Sequence, residues 1–184
     1  MIPPLSRICE TDLGSRETAM DDILIREAAP SDMEAMVALW KELMLLHADM
    51  DRNFVLIAEA ETLFRAYLEK HFSDKDSFAV VACHENALVG YTMAIESERP
   101  PVFEKARTAL ISDMIVTASF RGRGIGSRLV RRVKAWARTL DVDQLEVMAA
   151  TVNPQAMGFW KKMGARPYLA TLVFENDEGE MEKE

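Results

Sequence analysis

Apolar positions along the chain follow two rhythms, and the switches between them mark out the elements. Ile23, Leu24 and Ile25 form a short apolar run that predicts a first strand. From Met33 the spacing becomes helical, with Met33, Met36, Val37, Trp40, Leu43, Met44 and His47 on one face. Ser31-Asp32-Met33-Glu34 has the form of a capping box, with Ser31 as N-cap and Glu34 reaching back. Residues 48–54 are polar and predict an exposed loop, after which Leu63, Phe64, Tyr67 and Leu68 mark a second amphipathic helix over 58–70. Strand patterns at 78–83 and 87–95 flank a hairpin turn at His84-Glu85-Asn86. Arg99-Pro100-Pro101 marks a break before a further strand at 109–116. Ile125, Leu129, Val133, Trp136, Ala137 and Leu140 then return to helical spacing, with Arg128, Arg131 and Arg132 on another face. A strand is predicted at 144–150. Asn153-Pro154 suits an N-cap and first turn, Gly164 suits the end of that helix, and 168–174 predicts a closing strand.

These elements describe one α+β (α/β three-layer) domain over 23–174, a mixed, mostly antiparallel sheet flanked by helices. Residues 1–22 lack periodicity and read as an N-terminal extension. The run 175–184 is acidic with almost no apolar content and reads as a frayed tail. The 184 residues suffice for one core of ordinary size. No apolar run approaches the roughly 20 residues that span a bilayer, and the N-terminus lacks the apolar stretch of a secretory signal, so a cytoplasmic protein with no membrane partner is expected. The two cysteines, Cys9 and Cys83, are too few for a disulfide framework, and Cys83 falls in an apolar strand. A net charge of −8 argues against a nucleic-acid binder.

Against that acidic background the basic block from Arg121 to Lys134 is local. It begins with Arg121-Gly122-Arg123-Gly124-Ile125-Gly126, arginines placed where a helix N-terminus already carries positive charge. Glycines at alternate positions remove the Cβ atoms that keep a ligand off the backbone. Together these features describe a cradle for phosphate or pyrophosphate. The loop lacks the Gly-Lys-Ser/Thr ending of a P-loop, and the third glycine of the dinucleotide fingerprint would fall on Ser127. Asp113 stands out as a carboxylate on an otherwise apolar strand, where burial is costly unless it is paired. Function at Asp113 competes with pairing to an arginine or capping of nearby backbone. His47 reads as a packing residue, His71 and His84 as solvated, and Arg131, Arg132 and Lys134 as a solvated face. No metal site is expected, because Cys83-His84-Glu85 lacks zinc spacing.

The chain resembles the GNAT superfamily of acetyl-CoA-dependent N-acetyltransferases. Arg121, Gly124 and Gly126 match that family's (Gln/Arg)-x-x-Gly-x-(Gly/Ala) signature, and Asn153, Ala156, Phe159, Trp160 and Gly164 follow its second cofactor motif. The resemblance implies acetyl transfer from acetyl-CoA to a primary amine of a small molecule or peptide, directly in a ternary complex. By the same resemblance the cofactor meets the strand end Met114, Ile115 and Val116, the loop and helix start Arg121, Gly122, Arg123, Gly124, Ile125, Gly126 and Ser127, and then Asn153, Phe159, Trp160 and Lys162. Asp113 is the candidate base. The family often has tyrosine at the position of Trp160, whose indole is no acid, so Tyr168 or water becomes the candidate proton source. A non-catalytic acyl-CoA-binding sensor is the alternative that this departure supports. Homodimers are common in the family. The family's acceptor-shaping regions, here about 40–54 and 96–108, carry Asp49, Asp51, Glu96, Glu98 and Glu104, which favours a cationic acceptor.

Overall fold

The structure, a computed structural model, describes residues 22–174 apart from 105. Cys9, the rest of the N-terminal extension and the acidic tail lie outside the described residues. The order of elements is β1 (Ile23–Glu27), α1 (Met33–Ala48), α2 (Ala60–Phe72), β2 (Ser77–His84), β3 (Ala87–Glu98), β4 (Arg107–Val116), α3 (Ile125–Ala137), β5 (Gln144–Val147) and α4 (Pro154–Lys162). Single 3-10 turns fall at Pro30–Asp32, Arg52–Phe54 and Ala118–Phe120. Among the described residues no helix is long and apolar enough to cross a membrane.

The five strands lie in the order β1-β2-β3-β4-β5. β1 to β4 are antiparallel neighbours, while β5 runs parallel to β4. That parallel step needs a crossover, and α3 supplies it. Alternating side chains of the strands bury both faces of the sheet. Val81, Cys83, Tyr91, Met93 and Ile115 pack beneath α1 and α2 against Met36, Val37, Phe64 and Leu68. Val80, Ala82 and Val89 meet Ile125 and Leu129 of α3 on the other side. Ala94 and Ile111 meet Val133, with Trp136, Leu145 and Trp160 packed alongside. The three-layer fold therefore follows from strands that are apolar on both sides.

Two irregularities in β4 make the site. Met93 pairs with Asp113 but its neighbour Ala94 pairs with Ile111, so Ser112 is an extra residue, a β-bulge. The bulge resets the alternation: Ile111 and Met114, three residues apart, both pack on the α3 side, whereas Ile115 packs under α1. Secondly, β5 pairs with β4 only from Thr108↔Gln144 to Ile111↔Val147. β4 continues to Val116, so the two strands part and leave a cleft.

Several expected boundaries shift. Ser31 lies inside the Pro30–Asp32 turn and is not the cap. Asp32 takes the anchoring role, accepting from the Ala29 N–H at 2.8 Å and holding Arg26 in a two-pronged ion pair at 2.6 and 2.8 Å. Glu34 pairs instead with Arg65 at 2.7 Å. α3 ends at Ala137, before Leu140, and β5 stops at Val147, so 148–150 leave the sheet. The predicted strand at 168–174 is absent: β5 is the last strand among the described residues, and Leu169, Leu172 and Phe174 stay exposed. An apolar alternation makes a strand only when it finds an edge to pair with, and the four-residue β5 offers a short one.

Candidate active site

The arginine–glycine loop and the end of β4 meet at the cleft. Gly122 and Gly124 have φ of 77° and 76°, a left-handed conformation that strains any residue with a Cβ. Gly124 is the N-cap of α3, and no side chain caps that helix or places an acid in its first turn. The first N–H groups of α3, from Ile125 to Ser127, are therefore donors without helical partners at the positive end of the dipole. α4 differs, since Asn153 Oδ1 accepts from the Ala156 N–H at 3.0 Å and caps its own helix. Gly126 allows close packing: a Cβ there would come 2.8 Å from Met114 Cε and 3.2 Å from the Phe159 ring. These features fit an acyl-CoA, whose pyrophosphate needs backbone donors and whose thioester arm needs a slot between strands.

Asp113, Met114, Ile115, Val116, Arg121, Gly122, Gly124, Ile125, Gly126, Ser127, Asn153, Phe159, Trp160 and Lys162 all line one cavity of about 730 Å³. Arg123 and Tyr168 do not. Arg123 donates to the Ser119 carbonyl at 3.1 Å and lies 4.8 Å over the Phe120 ring. Tyr168 is half exposed, with the Arg99 and Arg166 guanidinium groups 4.7 and 5.7 Å from its ring. Arg121 lines the cavity while its Nε donates to the Val116 carbonyl at 2.8 Å, tying the loop to the strand end. The Thr117 N–H is given to Val89 on β3. By strand alternation the preceding N–H, that of Val116, points away from β3 into the cleft.

Asp113 is half-buried and has no cationic partner among the described residues. Ser112 Oγ donates to its Oδ2 at 2.9 Å. Burial raises the Asp113 pKa above the ordinary carboxylate range, and the Ser112 hydrogen bond partly opposes the rise. Thr92 Oγ1 donates to the Asp113 carbonyl at 3.0 Å, which fixes the backbone beside the bulge. Neither an arginine pair nor backbone capping accounts for this carboxylate.

The region 40–54, expected to shape the acceptor site, supplies part of the wall, though none of its residues was singled out for it: Leu43, Met44, Leu46 and His47 of α1 and Phe54 of the following turn line the same cavity. His47 Nδ1 is buried without a hydrogen-bond partner, its ring lies 4.9 Å from that of Phe54, and burial lowers its pKa. The signal available was the apolar stripe of α1 running on to His47. Residues 148–150 also line the cavity. Neither His71 nor His84 stands free in solvent: His71 Nδ1 lies 2.6 Å from Ser77 Oγ, and the His84 ring lies 5.0 Å from that of Phe120. Lys134 is no free surface charge either, since it donates to the Met163 carbonyl at 2.8 Å beyond the end of α4. Of the loop acids, Glu96 pairs with Arg107 at 2.7 Å and Asp51 accepts from the Asn53 N–H at 2.9 Å. None of Asp49, Asp51, Glu96, Glu98 and Glu104 lines the cavity, where Asp113 is the one carboxylate among the described residues. No group of three or more His, Cys, Asp or Glu side chains is placed to hold a metal among the described residues.

A parallel strand pair that splays beside an uncapped, glycine-led helix leaves a cleft with unpartnered backbone donors on one wall. The sequence profile of the Acetyltransferase (GNAT) family matches residues 37–165, and the chain belongs to that family. It is 24% identical over 164 residues to an uncharacterised N-acetyltransferase of Methanocaldococcus jannaschii, covering 83% of this chain and 72% of that protein. A mutant Bacillus halodurans protein of solved structure superposes with a TM-score of 0.75 at 23% identity, over 83% of this chain and 98% of its own. An aminoglycoside N-acetyltransferase solved in complex with CoA gives a TM-score of 0.69 at 14% identity, over 84% of this chain and 95% of that one. At these identities the two structures share the fold.

Proposed function

We propose that the protein transfers an acetyl group from acetyl-CoA to a primary amine, directly and without a covalent enzyme intermediate. The observation that carries this reading is the opening of one cleft onto both the uncapped N-terminus of α3 and the half-buried carboxylate of Asp113. The structure of a family relative with CoA supports the choice of carrier. Acetyl-CoA supplies the acyl group as an activated thioester. The N–H groups of Ile125 to Ser127 hold its pyrophosphate, with Arg121 and Lys162 adding positive charge at the same wall. The Val116 N–H donates to the acyl oxygen and stabilises the negative charge that develops there, an effect typically of about 3 kcal/mol.

Asp113 acts on the amine. A lysine-like amine of pKa about 10.4 is neutral only about one time in a thousand near pH 7.4, roughly 4 kcal/mol uphill. A half-buried carboxylate with a raised pKa both attracts the ammonium and accepts its proton, directly or through water. Trp160 packs against the cavity and donates no proton to sulfur. Thiols ionise near about 8.5, so a thiolate departs without help from a side-chain acid, and Tyr168, outside the cavity, is not needed.

Titration with acetyl-CoA during thermal unfolding, with ADP as control, tests the carrier. At about 100 times the dissociation constant the gain is about 2.7 kcal/mol, a rise of roughly 5–10 °C for a chain of this size. Gly124→Glu is expected to abolish the rise, and no rise with acetyl-CoA would remove the transferase reading. A rise without thiol release on any amine would favour the acyl-CoA sensor that Trp160 suggests.

A further inference from the structure

The two sides of the cleft have different chemistry. Toward α3 and α4 the wall presents backbone donors, Arg121 and Lys162. Toward α1 it presents Leu43, Met44, Leu46 and Phe54, with His47 at the end. Burial keeps the His47 imidazole neutral near pH 7, so this wall carries no charge of its own. The connection from α1 to α2, which carries Phe54, also exposes Met50, Val55 and Ile57. Asp113 is the single carboxylate among the described lining residues.

Resting on the acetyl-transfer reading of this same cleft, we propose that the acceptor is a monoamine with an apolar body, an alkylamine or arylalkylamine, and not a polycation. One carboxylate compensates one ammonium. A second ammonium lying among Leu43, Met44 and Phe54 loses its water and finds no counter-charge. An alkyl or aryl body gains on the same wall, each buried methylene being worth about a fourfold change in binding. The acids of the neighbouring loops do not alter this balance, because they are engaged elsewhere or stand outside the cavity.

The test is amine-dependent thiol release by the full-length protein with acetyl-CoA, comparing propylamine, hexylamine and 2-phenylethylamine with spermidine and kanamycin. The expected kcat/KM is at least about tenfold higher for hexylamine and 2-phenylethylamine than for either polycation, with a rise from propylamine to hexylamine. Met44→Glu places a second carboxylate in the apolar wall and is expected to narrow the gap for spermidine about tenfold while leaving KM for acetyl-CoA unchanged. If that variant fails to fold, Phe54→Ala serves, with an expected rise in KM for 2-phenylethylamine and none for acetyl-CoA. Preference for spermidine or kanamycin, or equal kcat/KM across the panel, overturns the inference and leaves the transferase reading standing. Absence of thiol release with every amine, from protein that acetyl-CoA still stabilises, removes both.

Discussion

Asp113 is the proposed base, and its place on β4 carries a cost to the fold. Its carboxyl is half-buried with only the Ser112 hydroxyl as a side-chain partner at 2.9 Å, and desolvation raises its pKa. Between its unfolded and folded pKa values the native state binds more protons than the unfolded chain. Stability therefore falls as pH rises through that window, and the penalty is complete above it. Asp113→Asn removes the penalty. Its melting temperature is expected to exceed that of the wild type at pH 8, with the difference closing toward pH 4, as scanning calorimetry at both values would show. The same variant is expected to lower kcat/KM by about 10²- to 10⁴-fold while acetyl-CoA still stabilises it. An Asn variant that is less stable at pH 8 would contradict the assigned burial penalty, and one with full activity would exclude Asp113 as base. Ser112→Ala removes the hydrogen bond that restrains the pKa. It should move the acid limb of the kcat/KM profile to higher pH, and an unmoved limb would detach Ser112 from the titration.

At the scale of elements, what the sequence reveals depends on how local the cause is. The loop into α3 was legible because its causes are local: glycines at positive φ, an uncapped N-terminus and the apolar stripe of the helix that follows. Asp113 was legible as a charge in an apolar strand. The wall formed by His47 and Phe54 was legible only as a region, 40–54, because these residues become a wall only where β4 and β5 part, and that parting depends on pairing between distant segments. The bulge at Ser112 likewise needs the β3 register to exist. The entry to α1 shows the same limit. Ser31 suits the cap by residue type, but Asp32 does the anchoring because Arg26 on β1 and the Ala29 N–H reach it. Urea unfolding should separate them: Asp32→Ala is expected to cost about 2 kcal/mol or more and Ser31→Ala no more than about 0.5 kcal/mol. Arg26 holds the Asp32 pKa below the ordinary value. Its contribution is thus present at neutral pH and is lost as pH falls through that lowered folded pKa. Equal costs for the two variants would contradict the anchoring role of Asp32.

For the molecule as a whole, the cleft is a seam in an otherwise continuous sheet. β2, β3 and β4 are joined over long ladders and bury Val80, Val81, Ala82, Tyr91, Ala94 and Ala109 completely. β5 holds to β4 through four residues, all half-buried, and has no outer neighbour among the described residues. Opening β5 therefore exposes little apolar surface and breaks few ladder bonds, so it should occur well below the free energy of global unfolding. Yet the residues after β5, together with α4, supply one side of the cavity, and under the proposed function a ligand held between Val116 and Trp160 would tie this side to the rest of the sheet. Hydrogen exchange followed by mass spectrometry should show amides of 144–150 exchanging faster than those of β3 and β4 in the free protein. With acetyl-CoA at about 100 times its dissociation constant, exchange there is expected to slow by up to about 100-fold, the limit reached when opening requires release of the ligand. Amides of β2, remote from the seam, should change only as far as global stability changes. Protection in 144–150 equal to that in β3, or no response there to acetyl-CoA that binds by thermal shift, would mean that the two sides of the cleft are already fixed without a ligand.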